Sequence, residues 1–232
     1  MATPQWNRRA FLATAGIGVA GAFSLNALTE MDVAGAAAPA QEGLQRLLAG
    51  NLRFAEGKPA CGPATARRIE LANGQAPFAI VLGCSDSRVP IETVFDQEPG
   101  EIFAVRVAGN FVNNDGLGSI EYSVAVLKSS LILVLGHSDC GAVKAAVGFV
   151  RNGTSAPGHI QKLVEAIAPA ARQTKGEPGS WVENAVLENV KLNARALVVR
   201  SKIIADAVTA GTVSIAGGVY NLHTGRVTLT AS

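Results

Sequence analysis

The chain is 232 residues long, 48% hydrophobic and only 16% charged, with a net charge of +2. That length suits one α/β domain plus a targeting segment, and the apolar fraction supports a large core without staples. The near-neutral balance and the 5% aromatic content exclude the basic, base-stacking surface of a nucleic-acid binder.

The amino terminus pairs Arg8 and Arg9 ahead of Phe11, Leu12 and a run rich in Ala and Gly over 10–22. A basic start, a modest apolar stretch and then small residues have the form of a twin-arginine export signal. The run is too short and too weakly apolar to span a bilayer, so no stable membrane insertion is expected after cleavage. The motif Ala38-Pro39-Ala40 offers a cleavage site, which divides the chain into a signal region, 1–40, and a domain, 41–232. Export of folded cargo lets a metal load in the cytoplasm and protects thiolates from oxidation outside. The expected location is therefore beyond the cytoplasmic membrane.

Residues 42–57 place Leu44, Leu47, Leu48 and Leu52 on one helical stripe. Cys61 follows in a stretch of small residues and prolines that reads as an exposed loop and is given no function. The run 77–83 is short, continuous and apolar, as a strand buried on both faces requires. A second strand is predicted over 101–109, a helix over 116–128 and a third buried strand over 131–136. Helices follow over 141–150, 160–172 and 181–210, the last interrupted near Arg200. Two strands around a turn at 221–225 close the chain. Strands alternating with helices predict a single α/β domain, a mostly parallel central sheet flanked by helices. Ligands of such sheets bind outside the carboxyl ends of the strands.

Two motifs begin where a buried strand ends. The first, GCSDSRVP, holds Cys84, Asp86 and Arg88; the second, GHSDCGA, holds His137, Cys140 and Gly141. Two thiolates and an imidazole suit tetrahedral zinc, and three protein ligands leave a fourth position for water. From the residues alone, a metal site and two buried cysteines in a core both remain open. No C-x-x-C pair exists for thiol–disulfide exchange. A Cys–His nucleophile requires a cysteine free of metal.

The pairing of CSDSR with HSDCGA resembles the signature of the β-class carbonic anhydrases. The likeness extends over LQRLLAGNLRF, VRVAGN, SIEYSVAVL and GGVYNLHTG, nearly the whole chain after the signal. The resemblance implies one zinc per subunit on Cys84, His137 and Cys140, and a catalytic dyad of Asp86 and Arg88. The implied reaction is reversible hydration of carbon dioxide to bicarbonate and a proton by zinc-bound hydroxide.

The resemblance also implies a pocket of Gln75, Phe103 and Tyr122 at a dimer interface, hence a homodimer or homotetramer. In a closed form of the family Asp86 becomes a fourth zinc ligand. This chain is similar to that form at Arg106 and Tyr220. It carries Val81, however, where the closed form has a tryptophan, so the open form is expected. Two other functions fit the same motifs: hydrolysis of CS2 or carbonyl sulfide, and non-enzymatic zinc binding outside the cell.

Overall fold

The computed structural model describes residues 38–61 and 65–230. The segment expected to act as an export signal lies outside the described residues, apart from the expected cleavage motif, which falls in the first turn of the first helix.

In chain order the elements are α1 (Ala38–Ala55), α2 (Thr65–Leu71), β1 (Ala79–Gly83), α3 (Ile91–Val94), β2 (Ile102–Arg106) and α4 (Asn114–Tyr122). The last of these runs into a π-helical turn, Ser123–Leu127. There follow β3 (Leu131–His137), α5 (Gly141–Asn152), α6 (Ile160–Gln173), α7 (Trp181–Arg200), α8 (Lys202–Thr209), β4 (Ser214–Tyr220) and β5 (Val227–Leu229). The sheet has the order β2-β1-β3-β4-β5. The first four strands are parallel and β5 pairs antiparallel with β4. The expected architecture is the one observed.

Every residue of β1 and β3 is buried, as predicted from their unbroken apolar runs. Alternate side chains serve opposite faces. Val81, Leu133, Leu135 and Tyr220 pack with Leu44, Leu47 and Phe95 on the side of α1 and α3. Ile80, Leu82, Ile132 and Val134 pack with Ile120, Val190, Leu197 and Ile204 on the side of α4, α7 and α8. A third cluster, from α5, α6 and α7, closes the carboxyl end of the sheet around Cys84 and Cys140.

Glycine permits the closest of these contacts. A Cβ on Gly136 or Gly217 would stand 2.8 or 2.7 Å from the Val190 methyls, so α7 lies against bare backbone of β3 and β4. The break expected near Arg200 is real. Ser201 ends α7 and caps α8, its hydroxyl accepting from the Ile204 amide at 3.2 Å.

From β1 the chain crosses outward to β2, then returns to the other side of β1 as β3. Strand order therefore reverses between β1 and β3, and the carboxyl ends of these two strands are where such sheets bind ligands. Both sequence motifs fall there.

Candidate active site

Cys84 is the first residue beyond β1, His137 the last of β3, and Cys140 the N-cap of α5. All three are buried, and their ligand atoms lie within 4.8 Å of one another. The Cys84 and Cys140 sulfurs stand 4.0 Å apart. Tetrahedral zinc with bonds of about 2.3 Å to sulfur sets that separation at about 3.8 Å. The His137 ring Nδ1 is bonded to the Ser138 carbonyl at 2.9 Å. Its Nε2 is buried with no hydrogen-bond partner, beside two sulfurs. A buried ring nitrogen left without a partner is costly unless something else satisfies it. The donor set fits zinc, and the Ser138 carbonyl fixes the tautomer that leaves Nε2 free to ligate.

The electrostatics of the metal-free group follow from its crowding. The Cys140 sulfur 4.0 Å away and the Gly109 amide at 3.2 Å together overcome burial and lower the Cys84 thiol. The Cys140 thiol is raised by the same sulfur contact and by burial. Burial alone would lower the His137 imidazole, but the negative charge of the Cys84 sulfur beside it leaves it raised.

Asp86 stands beside this group, Oδ2 at 3.8 Å from His137 Nε2. Its carboxylate is held by Arg88 in a fork. Nε donates to Oδ1 at 2.9 Å, Nη2 donates to Oδ2 at 2.7 Å, and the Arg88 amide donates to Oδ1 at 2.9 Å. These bonds outweigh partial burial and hold the Asp86 carboxyl well below the usual carboxylate range. Arg106, at the end of β2, donates from Nε to the Cys84 carbonyl at 2.9 Å and from Nη2 to the Asp86 carbonyl at 2.7 Å. Its guanidinium pins the backbone of the first motif. Asp139 lies at the mouth, paired with Lys144 and 4.0 Å from Arg88.

Gly141 opens α5, and a Cβ there would meet nothing within 4 Å. Tyr220 is buried opposite His137 in the sheet and receives the Ser138 amide on its carbonyl at 2.9 Å. Val81 is fully buried in the same cluster as Tyr220.

The expected pocket does not assemble within one protomer. Phe103 pairs with Ile80, four residues before Cys84, hence about 13 Å short of the metal group along the strand. Tyr122 packs on Phe103 with ring centroids 6.3 Å apart and is 43% exposed. Gln75 is exposed before β1, a full strand from Cys84. A cleft of about 350 Å³ runs between β2, at the sheet edge, and α4, lined by Phe103, Val105, Arg106 and Phe111.

A family model described as carbonic anhydrase matches residues 79–227. The chain belongs to the β-class carbonic anhydrases. It is an enzyme of reversible carbon dioxide hydration. It is 40% identical over 181 residues to carbonic anhydrase 2 of Mycobacterium tuberculosis, covering 78% of this chain and 87% of that protein. To the carbonic anhydrase of Mycolicibacterium smegmatis it is 42% identical, covering 78% and 88%. Among solved structures it resembles the tetrameric β-carbonic anhydrases of Sordaria macrospora, with TM-score 0.63, 25% identity and coverage of 81% and 96%.

Sequence reasoning missed two features of this carbonic anhydrase. One is the Gly109 amide on Cys84. Its only signal is the glycine of VRVAGN, whose φ of 82° calls for glycine. The other is the hold of Arg106 on two carbonyls, a contact across the sheet that no spacing reveals.

Proposed function

We propose that Cys84, His137 and Cys140 hold one zinc ion per subunit and that Asp86 and Arg88 form the catalytic pair. The observation that carries this is the unpartnered, buried His137 Nε2 between two sulfurs, with a detained carboxylate at its side. Zinc on three protein ligands lowers the pKa of water to about 7 and so supplies a nucleophile for carbon dioxide at neutral pH.

The protein's own groups do the rest. Asp86 is kept ionised by Arg88, so Oδ2 can only accept a hydrogen bond, and it orients the attacking water toward the substrate carbon. Without Arg88 the same oxygen, 3.8 Å from His137 Nε2, would be free to fill the fourth position. The fork on Asp86, the engagement of Arg106 with backbone carbonyls and the packing of Val81 all support the open form.

The separation of Gln75, Phe103 and Tyr122 from the metal group supports a homo-oligomer. In it, a second copy brings its own three residues to the pocket, Gln75 donating to a substrate oxygen and the rings supplying apolar walls. The paired Arg8 and Arg9 support export by the twin-arginine route. Among the described residues no helix is long and apolar enough to cross a membrane.

Zinc-edge absorption on the purified enzyme at mildly alkaline pH tests the site. Two sulfurs, one nitrogen and one water oxygen are expected. A carboxylate oxygen in place of water contradicts the open form, and a spectrum without two sulfurs contradicts the ligand set. Activity that persists undiminished on dilution to monomers contradicts the shared pocket.

A further inference from the structure

A helix some fifty residues beyond the second motif grips the loop that touches the first ligand. α7 carries Asn189 and Asn193 one turn apart, both buried. Asn189 Nδ2 donates to the Gly109 carbonyl at 2.8 Å. Asn193 Nδ2 donates to the Asn189 backbone carbonyl at 2.8 Å and to its side-chain oxygen at 3.1 Å, and Asn193 Oδ1 accepts the Val112 amide at 2.7 Å. Two turns on, Arg200 bonds the Val112 carbonyl and, at 2.8 Å, the Asn114 side chain. One face of one helix thus holds the segment 109–114 at four polar atoms.

Gly109 is the point of that segment nearest the metal group. Its carbonyl is held by Asn189 and its amide donates to Cys84 Sγ at 3.2 Å. It has a φ of 82°, and a Cβ would stand 2.3 Å from Ile167 Cδ1. The residue is therefore clamped at its carbonyl, its amide and its α-carbon.

We propose that Asn189, oriented by Asn193, is a positioning residue for the metal site: it aims the Gly109 N–H at the Cys84 sulfur. That bond draws charge from one of the two thiolates and fixes the direction in which the sulfur presents its lone pairs. Asn193 gives Asn189 its orientation. By occupying the Asn189 oxygen with an N–H, it leaves the Asn189 amide nitrogen facing Gly109. Neither asparagine touches substrate. The proposal rests on Cys84 being a zinc ligand.

Two variants of the full chain test it, Asn189→Ala and Asn193→Asp. The second keeps the acceptor for the Val112 amide but replaces the donor to Asn189 by a carboxylate. Asn189 then turns its amide nitrogen to residue 193 and its oxygen toward the Gly109 carbonyl, and the clamp opens with almost no change of volume. Asn184→Ala is the control, since Asn184 is on the same helix but bonds only the Pro178 carbonyl.

Each protein is loaded with zinc for release to a chelator, and with cobalt for the sulfur-to-metal charge-transfer band. Both test variants are expected to release zinc roughly tenfold to a hundredfold faster, the range for loss of an outer partner of a metal ligand. Their charge-transfer bands are expected to move to lower energy as Cys84 regains charge. In the cadmium-substituted wild type, the Gly109 amide proton is expected to show scalar coupling to the metal through the N–H···S bond.

A lowered melting temperature with an unchanged band and release rate would make the asparagines mere anchors of α7 and overturn the proposal. So would absence of the Gly109 coupling in the wild type, which requires no variant to fold. A wild type that takes up no zinc overturns the zinc reading itself. One that binds zinc with variants indistinguishable from it overturns only the role of Asn189.

Discussion

Replacing Asp96 by Asn isolates one buried charge. Asp96 follows α3, and its side chain is only 1% exposed. Its two oxygens accept the Ala60 amide at 3.1 and 3.0 Å, the Cys61 amide at 2.9 Å and Arg53 Nε at 2.5 Å. Burial alone would raise the carboxyl; these donors overcome it and hold the group at about 2. Its φ of 46° is one that Asn tolerates as readily as Asp, so the exchange leaves the backbone at ease.

Against an ordinary value of 3.8 the depression corresponds to about 2 kcal/mol at neutral pH. The Asn variant loses that, together with the match between donors and acceptors, since its amide nitrogen must face Arg53 or a backbone N–H. About 2 kcal/mol lowers the melting temperature of a chain this size by roughly 4–8 °C.

The pH dependence has a definite sign. A carboxyl depressed on folding stabilises fully above its unfolded value, and the contribution disappears as pH falls from about 4 through about 2. Urea unfolding of both chains between neutral pH and about pH 3 measures the gap. A gap that stays constant across that range, or a variant as stable as wild type at neutral pH, would mean that the Asp96 charge does not stabilise the fold.

Arg88→Ala frees the Asp86 carboxylate. Carbon dioxide hydration should fall by roughly tenfold or more, with a carboxylate oxygen appearing at zinc; full activity contradicts the detaining role. Gly109→Ala forces a left-handed conformation and a clash with Ile167 Cδ1, costing about 3 kcal/mol in chemical denaturation. Adding Ile167→Val removes that methyl and should recover part of the loss; no recovery contradicts the steric account. In the metal-free chain the Gly109 amide on Cys84 Sγ favours the thiolate there over Cys140. Mass spectrometry after brief alkylation should find the adduct on Cys84 first, and zinc should protect it; labelling that begins at Cys140 contradicts this.

The fold was legible wherever burial on both faces left a continuous apolar signature, as in β1 and β3, and wherever a strong periodicity marked one buried face, as in α1. The short α2 and α3 were not. Four to seven residues carry too little periodicity, and tertiary packing decides them. The metal ligands were legible because cysteine and histidine at strand ends are chemically conspicuous. Gln75, Phe103 and Tyr122 were named by resemblance, but their distance from Cys84 within one protomer follows from strand register, which no local pattern displays. Asn189 and Asn193 read in sequence as polar positions on a helix. Their role lies in contacts to Gly109 and Val112 some eighty residues earlier.

The most direct test of the account is stopped-flow carbon dioxide hydration by the zinc-loaded enzyme, compared with the Asp86→Asn variant at equal zinc content. Rapid hydration is expected of the wild type, and a loss of about 10²-fold or more in the variant. A fully zinc-loaded wild type with no detectable hydration, yet active on carbonyl sulfide or CS2, would contradict it.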